Sequence, residues 1–516
     1  MNIDIKQRGA FYTPDDLADF MCKIAIKRDT SHVLEPSYGD GLFIKHLQKH
    51  KKNFQIDAVE IDFETFQESK KNLKNVNLIN ENFLSLRKKK EYNLNIGNPP
   101  FVRTRNLPKE QKEIAQKIYK EDLGLRSHSD PSSWLLFIYK SFSFLKRGGT
   151  LCFVLPFDMT FVSYAVPLWN HIFNNFGKID VYHSKRRYFP EILQDTIVLK
   201  LSKYGDQSSS LNYFIFEDSF KGNSRKKNIS KEPILKKQKP FKYALLTEDF
   251  FEIERKIKNK IYRLGDCIDF HIGYVSGNKN YFHPQEEIIN RFKLSEENFI
   301  ETLAEPKAIK KTGIYTSNIE PEKLSKLFYP LNQTNEANKY IQFGEDNKFH
   351  TRKKTSSRNP WYLTPLVQVP DFILSTFKDS PILLDNDARY IATNSFLCGY
   401  IKKNDLLSKS ITKNSLISGW YSSLTKLFFE LEIHSLGGGR MVIIPGEISN
   451  VRVPTISNVN NGFLQKLNKK LYNDNLLEAA ELTDRVILNK LLRLNTKEID
   501  IIKDNLSILN YWRNPG

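Results

Sequence analysis

Four consecutive residues, Asn98-Pro99-Pro100-Phe101, carry the clearest chemical signal in the chain and follow an apolar-leaning run that ends at Gly97. The two prolines remove two backbone donors and fix two φ angles, and Pro99 restricts Asn98 to extended conformations. The Asn98 carboxamide and the neighbouring carbonyls are therefore held in one direction, where they can accept hydrogen bonds from an amino group. A stiff turn without chemistry is the alternative interpretation.

A glycine-containing segment, EPSYGDG at residues 35–41, lies between a predicted strand and a predicted helix. Gly39 and Gly41 let the backbone approach a ligand closely, although an ordinary tight turn explains the same residues. Glu60 ends the next predicted strand about 20 residues further on, where an acidic side chain bonds a ribose diol in nucleoside-binding sheets. Since no lysine-containing phosphate loop accompanies them, these residues indicate a nucleoside cofactor without phosphates. Phe83 can pack on an adenine ring or fill the core.

Regular structure must position these residues, and the N-terminal half of the chain alternates short apolar segments with helical spacing. This alternation predicts an α/β domain with a mixed, mostly parallel sheet. Ligands of such sheets bind beyond the carboxyl ends of the strands, which is where the candidate residues fall. The strands are predicted at the start of HVLEPSYGDGLFIKHL, in QIDAVEID, in VNLINENFL with its following loop, in YNLNIGNPPF, and in KRGGTLCFVLP after its turn.

The composition narrows the class of protein. A chain of 516 residues predicts about two to four domains. The net charge of +19 favours a polyanionic partner, nucleic acid before a membrane surface, although a basic surface kept for solubility is the alternative. The four cysteines lie far apart, which argues against a zinc site and a disulfide framework. With no apolar leader and no bilayer-length run, we expect a cytoplasmic protein without a membrane partner.

Short motifs occur in a defined order along the chain. They are GAFYTPDDLADFM, VLEPSYGDGLF, AVEID, NENFL, GNPPFV and RRYFPEILQDTIVLKL. The ordered set resembles the gamma-class DNA adenine-N(6) methyltransferases of type II restriction-modification systems, the TaqI/Eco57I-like methylases, over roughly residues 5 to 205. Farther along, IGYVSGNKNYF and LGGGRMVIIPGEISNVRVP resemble recognition-domain segments of the same family.

The resemblance implies two domains and a nucleic-acid substrate. A Rossmann-like, S-adenosylmethionine-dependent methyltransferase domain is expected over residues 1–245, and a mixed α+β target-recognition domain with C-terminal helices over residues 246–516. The expected partners are double-stranded DNA and, functionally, a cognate restriction endonuclease that forms no stable complex. The letters YTP begin at residue 12 and no nuclease triad is evident behind them, so we expect a stand-alone modification enzyme. We also expect a monomer without a metal.

The roles of family residues carry over to individual positions of this chain. Asn82 departs from the family, which has aspartate there, but its amide oxygen can still accept from the cofactor's amino group. Each position has a structural alternative as a turn or core residue. The resemblance assigns cofactor contacts to Thr13, Glu35, Ser37, Gly39, Glu60, Ile61, Asn82, Phe83, Asn98 and Pro100.

The expected chemistry belongs to the loop at residues 98–101. Asn98 Oδ1 and the Pro99 carbonyl would accept both hydrogens of an adenine amino group, which frees the nitrogen lone pair for attack on the sulfonium methyl. Since a duplex hides that nitrogen, the base must be flipped out and held between aromatic rings. The predicted catalytic residues are Asn98, Pro99, Pro100 and Phe101, and the predicted substrate contacts are the rings of Phe101 and Phe189 and, toward phosphates, Arg103 and Arg105.

The second half of the chain carries weaker signals. Residues 206–243 are polar and lysine-rich, which predicts a domain junction or a basic loop on phosphates. Base readout is expected within residues 270–450, and helical spacing near the C-terminus predicts a helical pair. The readout candidates are the loop Tyr274–Asn280, the stretch HTRKKTSSRNPWY, and Gly437–Gly439 with Arg440.

Two other functions compete with this interpretation. An RNA or protein-glutamine methyltransferase would use the same NPPF loop, but it would not need the YTP element joined to a large basic C-terminal domain. A non-catalytic DNA-binding specificity subunit would keep a degenerate methyltransferase fold. The intact NPPF loop, Glu60 and the glycine loop argue against degeneracy.

Overall fold

Strands from the first half of the chain assemble into a single nine-stranded sheet, which is the frame of the first unit. The computed structural model describes residues 12–50, 53–87, 91–122, 124, 130–190, 195–376, 381–402, 412–435, 441–454 and 459–514. The strands of this sheet are β1 (His32–Glu35), β2 (Gln55–Glu60), β3 (Asn77–Asn80), β4 (Tyr92–Gly97), β5 (Leu145–Pro156), β6 (Phe176–Ser184), β7 (Thr196–Tyr204), β8 (Ser210–Phe216) and β9 (Ser224–Ser230).

The sheet is mixed and mostly parallel. Its strand order is β3–β2–β1–β4–β5–β7–β6–β8–β9. The first five strands in this order pair in parallel, whereas β7 runs antiparallel to both of its neighbours. β8 is parallel to β6 and antiparallel to β9 at the edge. This arrangement confirms the predicted α/β, Rossmann-like fold class.

The position of β1 between β2 and β4 creates a crevice in the sheet. The chain moves from β1 to β2 in one direction and later places β4 on the opposite side of β1. At such a reversal, the loops beyond the carboxyl ends of the strands separate and leave room for a ligand. The three strands end at Glu35, Glu60 and Gly97, so the loops that follow these residues surround one crevice.

Helices cover the sheet with their apolar faces. The helix at Asp15–Ala25 has two acidic residues in its first turn, where the helix dipole favours negative charge. Its Leu17 and Met21 pack in one core cluster with Phe43 and Leu47, and each such side chain contributes about 1.5–3 kcal/mol by leaving water. The helices of this unit are α1 (Asp15–Ala25), α2 (Leu42–His50), α3 (Phe63–Asn72), α4 (Lys109–Lys117), α5 (Trp134–Phe142), α6 (Val166–Asn175), α7 (Lys231–Leu235) and α8 (Pro240–Tyr243).

The prediction of a junction or basic loop at residues 206–243 is wrong. This segment forms β8 and β9, which extend the sheet at one edge. Leu211, Tyr213 and Ile215 alternate with less buried residues along β8, which is the spacing of a half-buried strand. The surrounding serines and lysines resemble a linker in composition, and the pairing with β6 is a non-local contact that composition does not reveal.

The second unit begins at Leu246 and contains several small sheets. A four-stranded antiparallel sheet and a three-stranded mixed sheet are the larger ones. Its strands are β10 (Ile261–Arg263), β11 (Ile268–Ile272), β12 (Phe299–Leu303), β13 (Ser325–Phe328), β14 (Phe372–Ser375), β15 (Leu383–Asp385), β16 (Ile391–Ala392), β17 (Phe396–Ile401), β18 (His434–Ser435), β19 (Met441–Val442) and β20 (Arg452–Pro454). Its helices are α9 (Glu248–Ile257), α10 (Leu264–Cys267), α11 (Lys279–Phe282), α12 (Glu286–Phe292), α13 (Asn335–Asp346), α14 (Lys413–Trp420), α15 (Ser423–Glu432), α16 (Pro445–Ile448), α17 (Asn461–Tyr472), α18 (Leu476–Thr483) and α19 (Thr496–Arg513).

The C-terminal residues 459–514 form three α-helices and a π-helical turn at Asp484–Leu491, where the sequence predicts a helical pair. The end of α19, from Tyr511 onward, belongs to the first unit. There the Trp512 ring lies 4.4 Å from the His183 ring. Within the described ranges, no helix is long and apolar enough to cross a membrane. The functional roles of the two units stay predictions.

Gly41, in the loop after β1, occupies a position that requires glycine. Its φ is +72°, and a Cβ built there would lie 2.6 Å from a methyl group of the buried Leu73. We expect Gly41→Ala to lower the free energy of unfolding by about 1–3 kcal/mol, because alanine disfavours this backbone conformation and Leu73 must move. Urea-induced unfolding measures the loss. In the control Gly222→Ala, the nearest atom would be 3.4 Å away and no left-handed φ is involved; an equal loss in both variants would contradict this account.

Candidate active site

The loop after β1 is bonded to the end of β2. The Tyr38 amide donates to the Val59 carbonyl at 3.1 Å, and the Gly39 amide donates to Glu60 Oε2 at 3.1 Å. Gly39 has a φ of +55°, a left-handed conformation that glycine adopts without strain. The predicted glycine loop and the predicted ribose-binding acid are therefore in direct contact.

Glu60 is held by two backbone donors. Its Oε2 accepts from Gly39, and its Oε1 accepts from the Asp62 amide at 2.9 Å. Each carboxylate oxygen has a second lone pair, so the fixed side chain can accept further hydrogen bonds from a pair of hydroxyl groups. Ile61, the predicted adenine contact, is 55% exposed beside it and is available for an apolar contact with a ring.

Glu35 is the most unusual group of the crevice. The residue is 1% exposed, and neither carboxylate oxygen has a hydrogen-bond partner among the described residues. Burial, followed by the negative charges of Asp40 and Glu60, raises the pKa of the Glu35 carboxyl well above its ordinary value. A buried polar group without a partner is costly, and a cationic group bound here would remove that cost. This observation fits S-adenosylmethionine, which carries a sulfonium and an ammonium group.

The predicted catalytic loop is fixed by two serines. The Ser37 hydroxyl donates to the Asn98 carbonyl at 3.2 Å. The Ser133 hydroxyl donates to the Pro100 carbonyl and accepts from the Val102 amide at 3.1 Å. The loop backbone is thus tied to the β1 loop on one side and to the start of α5 on the other.

Between these two anchored carbonyls lies the carbonyl of Pro99. No hydrogen bond reaches it from the part of the chain that the structure describes. Pro99 is buried, whereas Asn98 and Pro100 are half-buried. The loop therefore keeps one backbone acceptor that has no donor among the described residues, next to the Asn98 side chain that the sequence singles out.

The two predicted stacking rings, Phe101 and Phe189, belong to one apolar neighbourhood. Phe189 is 5% exposed within a core cluster, and Phe101 is a half-buried residue packed against that cluster. The next-door Tyr188 is fixed by the Phe220 amide, which donates to its hydroxyl at 3.0 Å. The structure brings both rings to the same core, but Phe189 offers little free surface, so its contact with a flipped base stays a prediction.

The side chains of Phe83 and Asn82 both contact other residues of the chain. Phe83 is 2% exposed, and its ring centroid lies 5.3 Å from that of Phe137 and 5.4 Å from that of Phe144. Asn82 Oδ1 accepts from the Leu84 amide at 3.0 Å and caps the short turn that contains Phe83. The core role is the one that the structure supports for Phe83, and the cofactor contacts of both residues stay predictions.

Thr13 lies beside the glycine loop. It is buried, and the ring of its neighbour Tyr12 comes within 3.9 Å of the Cβ position at Gly39. Tyr12 is 58% exposed and was not among the predicted site residues. Its place in the letters YTP was visible in the sequence, but only the fold shows which loop it touches.

Arg103 and Arg105 share Asp130 as a partner. Arg103 Nη1 donates to the Asp130 carbonyl at 3.2 Å, and Arg105 Nε lies 3.5 Å from Asp130 Oδ2. The Arg105 side chain is 75% exposed, so this exposed ion pair is weak and can be exchanged for another anion. Phosphate contact by either arginine stays a prediction.

Ser133 is a residue of the candidate site that sequence analysis missed. The letters DPSSW before α5 suggest a helix start, and a serine there is ordinarily a helix cap. In the structure its side chain makes no cap bond and instead holds the catalytic loop. Among the readout candidates, Gly437–Gly439 and Arg440 lie outside the described residues.

The chain matches two family models. Residues 18–189 match the Eco57I restriction-modification methylase, and residues 237–488 match the C-terminal domain of type II methyltransferase M.Eco57I. Type II methyltransferase M.AccI of Acinetobacter calcoaceticus is 22% identical over 471 residues, 86% of this chain and 85% of M.AccI. Type II methyltransferase M.HincII of Haemophilus influenzae is 30% identical over 200 residues, 38% of this chain and only 37% of M.HincII. The type IIG restriction endonuclease BpuSI aligns with 98% of this chain and 66% of its own, at 13% identity and a TM-score of 0.45.

The buried carboxyl of Glu35 predicts a pH dependence. Between its ordinary pKa of 4.5 and its raised folded-state pKa, the folded protein keeps a proton that the unfolded chain has lost. The free energy of unfolding of the cofactor-free protein therefore falls as pH rises through this window. We expect Glu35→Gln to abolish this slope and to weaken S-adenosylmethionine binding by roughly 10- to 100-fold, since a charged acceptor is lost.

Urea titrations at several pH values and calorimetric titration of the cofactor measure the two effects. Glu68→Gln on the exposed face of α3 is the control, and we expect it to change neither. Unchanged cofactor affinity in Glu35→Gln would remove Glu35 from the cofactor site.

Proposed function

We propose that this chain, a DNA methyltransferase of the Eco57I family of restriction-modification methylases that uses S-adenosylmethionine, acts on the exocyclic amino nitrogen of adenine in a short duplex sequence. The observation that carries this proposal is the anchoring of the loop at residues 98–101. Ser37 and Ser133 occupy the carbonyls on either side of Pro99, and no donor from the described residues reaches the Pro99 carbonyl. An amino group, with two hydrogens to donate, suits this arrangement.

The residues of the loop act by position and dipole. Asn98 Oδ1 and the Pro99 carbonyl accept the two amino hydrogens of adenine and favour a tetrahedral nitrogen, which frees its lone pair. When bound, S-adenosylmethionine supplies an electrophilic methyl group. The Glu35 carboxylate and the Glu60 carboxylate would hold its cationic and ribose parts. No general base is required before attack, because the methylated amine is acidic and releases its proton to water. Catalysis then depends on oriented acceptors that need no rearrangement.

Access to that nitrogen requires the adenine to leave the helix stack. Flipping costs a few kcal/mol, and stacking on an aromatic side chain returns about 1–3 kcal/mol for each ring. Phe101 stacks on one face of the base, and Phe189 covers the other after a local movement of its segment. The net charge of +19 supports a duplex substrate, because phosphate neutralisation provides most of the binding free energy.

The proposed biological role is protection of host DNA from a cognate restriction endonuclease. An RNA or protein-glutamine methyltransferase is the second candidate, because the loop chemistry alone does not distinguish these substrates. The match of residues 237–488 to the C-terminal domain of a type II methyltransferase favours DNA over both.

Methylome sequencing of a host that expresses the protein tests the proposal directly. In the host with the wild-type protein we expect N6-methyladenine at a single short sequence. We expect none at that sequence in a control culture that carries Asn98→Ala. Methylated cytosine, or unmodified DNA together with modified RNA or protein, would reject the adenine assignment.

Asn98→Ala isolates the role of the side-chain acceptor. We expect methyl transfer to fall at least about 100-fold, since removal of one oriented hydrogen-bonding group in an active site has that effect. Duplex affinity stays near wild type. Radiolabelled methyl transfer and fluorescence anisotropy measure these quantities. Asn106→Ala, an exposed amide eight positions further along the chain, serves as the matched control; activity near wild type in Asn98→Ala would refute the acceptor mechanism.

Phe101→Ala separates base holding from cofactor binding. Loss of one stacking ring lowers kcat/KM for DNA by roughly 5- to 150-fold, whereas the Kd for S-adenosylmethionine stays unchanged. Steady-state kinetics with each substrate varied in turn make this measurement. An effect confined to the cofactor would place Phe101 in the cofactor site instead.

A further inference from the structure

A surface pocket of about 480 Å³ opens in the second unit between two segments that are distant in sequence. One segment is the loop at residues 274–280, and the other is the stretch HTRKKTSSRNPWY at residues 350–362, beyond which the pocket lining continues to residue 365. Both were candidates for base readout on sequence grounds, but nothing in the sequence indicates that they meet. The pocket lining includes Val275, Lys354, Ser357, Arg358, Asn359 and Leu363.

Arg358 ties the two segments together. Its Nη2 donates to the Val275 carbonyl at 2.7 Å, and its Nη1 donates to the Ser276 carbonyl at 2.9 Å. The backbones of the two segments also approach each other closely at Gly277, whose φ is +89°. A Cβ built on Gly277 would lie 3.2 Å from Lys354 Cβ. A planar guanidinium with two carbonyl partners holds the loop in one orientation, so the pocket wall is preformed.

The pocket stretch is rich in positively charged side chains. Residues 347–370 contain Lys348, Arg352, Lys353, Lys354 and Arg358 and no aspartate or glutamate. None of these five side chains forms an ion pair with the described residues. Some other lysines of this unit do, such as Lys413 with Asp385 at 2.8 Å and Lys326 with Glu296 at 2.7 Å. Lys354 and Arg358 line the pocket, so positive charge without an ion pair among the described residues lies at its wall, where it suits an external polyanion.

Polar and apolar groups stand beside that charge. Asn359 and Ser357 are exposed, and the Asn359 amide has no hydrogen-bond partner within the described ranges. An asparagine amide offers one donor and one acceptor side by side, which matches the major-groove edge of adenine. Val275 is 36% exposed and provides the apolar contact that a thymine methyl group takes.

We propose that this pocket contacts duplex DNA and selects the sequence to be methylated. Lys354 binds a backbone phosphate, Asn359 reads a base edge, and Arg358 is a positioning residue that keeps the loop at 274–280 in place. The inference rests on the proposed function in that it takes duplex DNA as the substrate. The proposed determinants of sequence specificity lie in the second unit, which contains none of the residues proposed to take part in methyl transfer.

Substitutions at two exposed positions, Lys354 and Asn359, test the pocket without removing buried contacts. Anisotropy titrations use the full-length protein, a duplex with the sequence found by methylome sequencing, and a scrambled duplex of equal length. We expect Lys354→Ala to raise Kd for both duplexes by a similar factor, about 3- to 10-fold, and to reduce the salt slope of log Kd by about one. Lys466→Ala, an exposed lysine on α17, is the matched control and leaves both values unchanged.

Asn359→Ala tests base readout. We expect Kd for the specific duplex to rise about tenfold while Kd for the scrambled duplex stays the same, because one base contact is lost. The methylome of a host with this variant then shows relaxed preference at one position. Asn290→Ala on α12, another exposed asparagine, is the control and keeps the wild-type motif.

The outcomes separate this inference from the proposed function. If wild-type protein methylates adenine but both pocket variants behave as their controls, the pocket is not the contact surface. An effect of Lys354→Ala alone overturns the base-reading assignment and retains the phosphate contact. If wild-type protein methylates no DNA, the proposed function fails, and the Lys354→Ala titration with the scrambled duplex still decides whether the pocket contacts DNA.

Discussion

Two hydrogen bonds from one loop connect the parts of the candidate active-site crevice. The loop after β1 bonds Glu60 through the Gly39 amide on one side and the Asn98 carbonyl through the Ser37 hydroxyl on the other. These contacts exist because β1 lies between β2 and β4 in the sheet, so that three strand ends meet at one edge. The acid that would bind a ribose and the amide that would bind an amino group are thereby held in a common frame. A substitution in this loop therefore affects the positions of both Glu60 and Asn98.

The crevice also contains a group that the protein leaves unsatisfied. Both oxygens of Glu35 are buried without partners among the described residues, and the pKa of the carboxyl is raised accordingly. Such a group destabilises the folded state unless a ligand compensates it. Binding sites retain such local conflicts where function needs them. The stability of the cofactor-free protein and its affinity for a cationic ligand are therefore opposed at this one position.

The two units position their candidate functional groups by different means. In the first, parallel strand ends of a sheet present Glu35, Glu60 and the loop after β4, and the sheet supplies the rigidity. In the second, a guanidinium bonded to two carbonyls joins two irregular segments. The first arrangement suits chemistry that depends on fixed acceptors. The second suits recognition, because irregular segments can change their side chains without disturbing a sheet.

The sequence by itself determined the local features of this protein. Alternating strands and helices predicted the α/β sheet, and Pro99 and Pro100 constrain Asn98 wherever the loop lies, because proline acts on its own backbone and its neighbour. Tertiary structure alone decided the burial of Phe83 and Phe189, the incorporation of residues 210–230 into the sheet, the anchoring of the loop by Ser133, and the meeting of Arg358 with Val275. Each of these depends on residues that are distant in the chain. Burial and hydrogen-bond partnership are properties of the packed neighbourhood, which residue type and spacing do not specify.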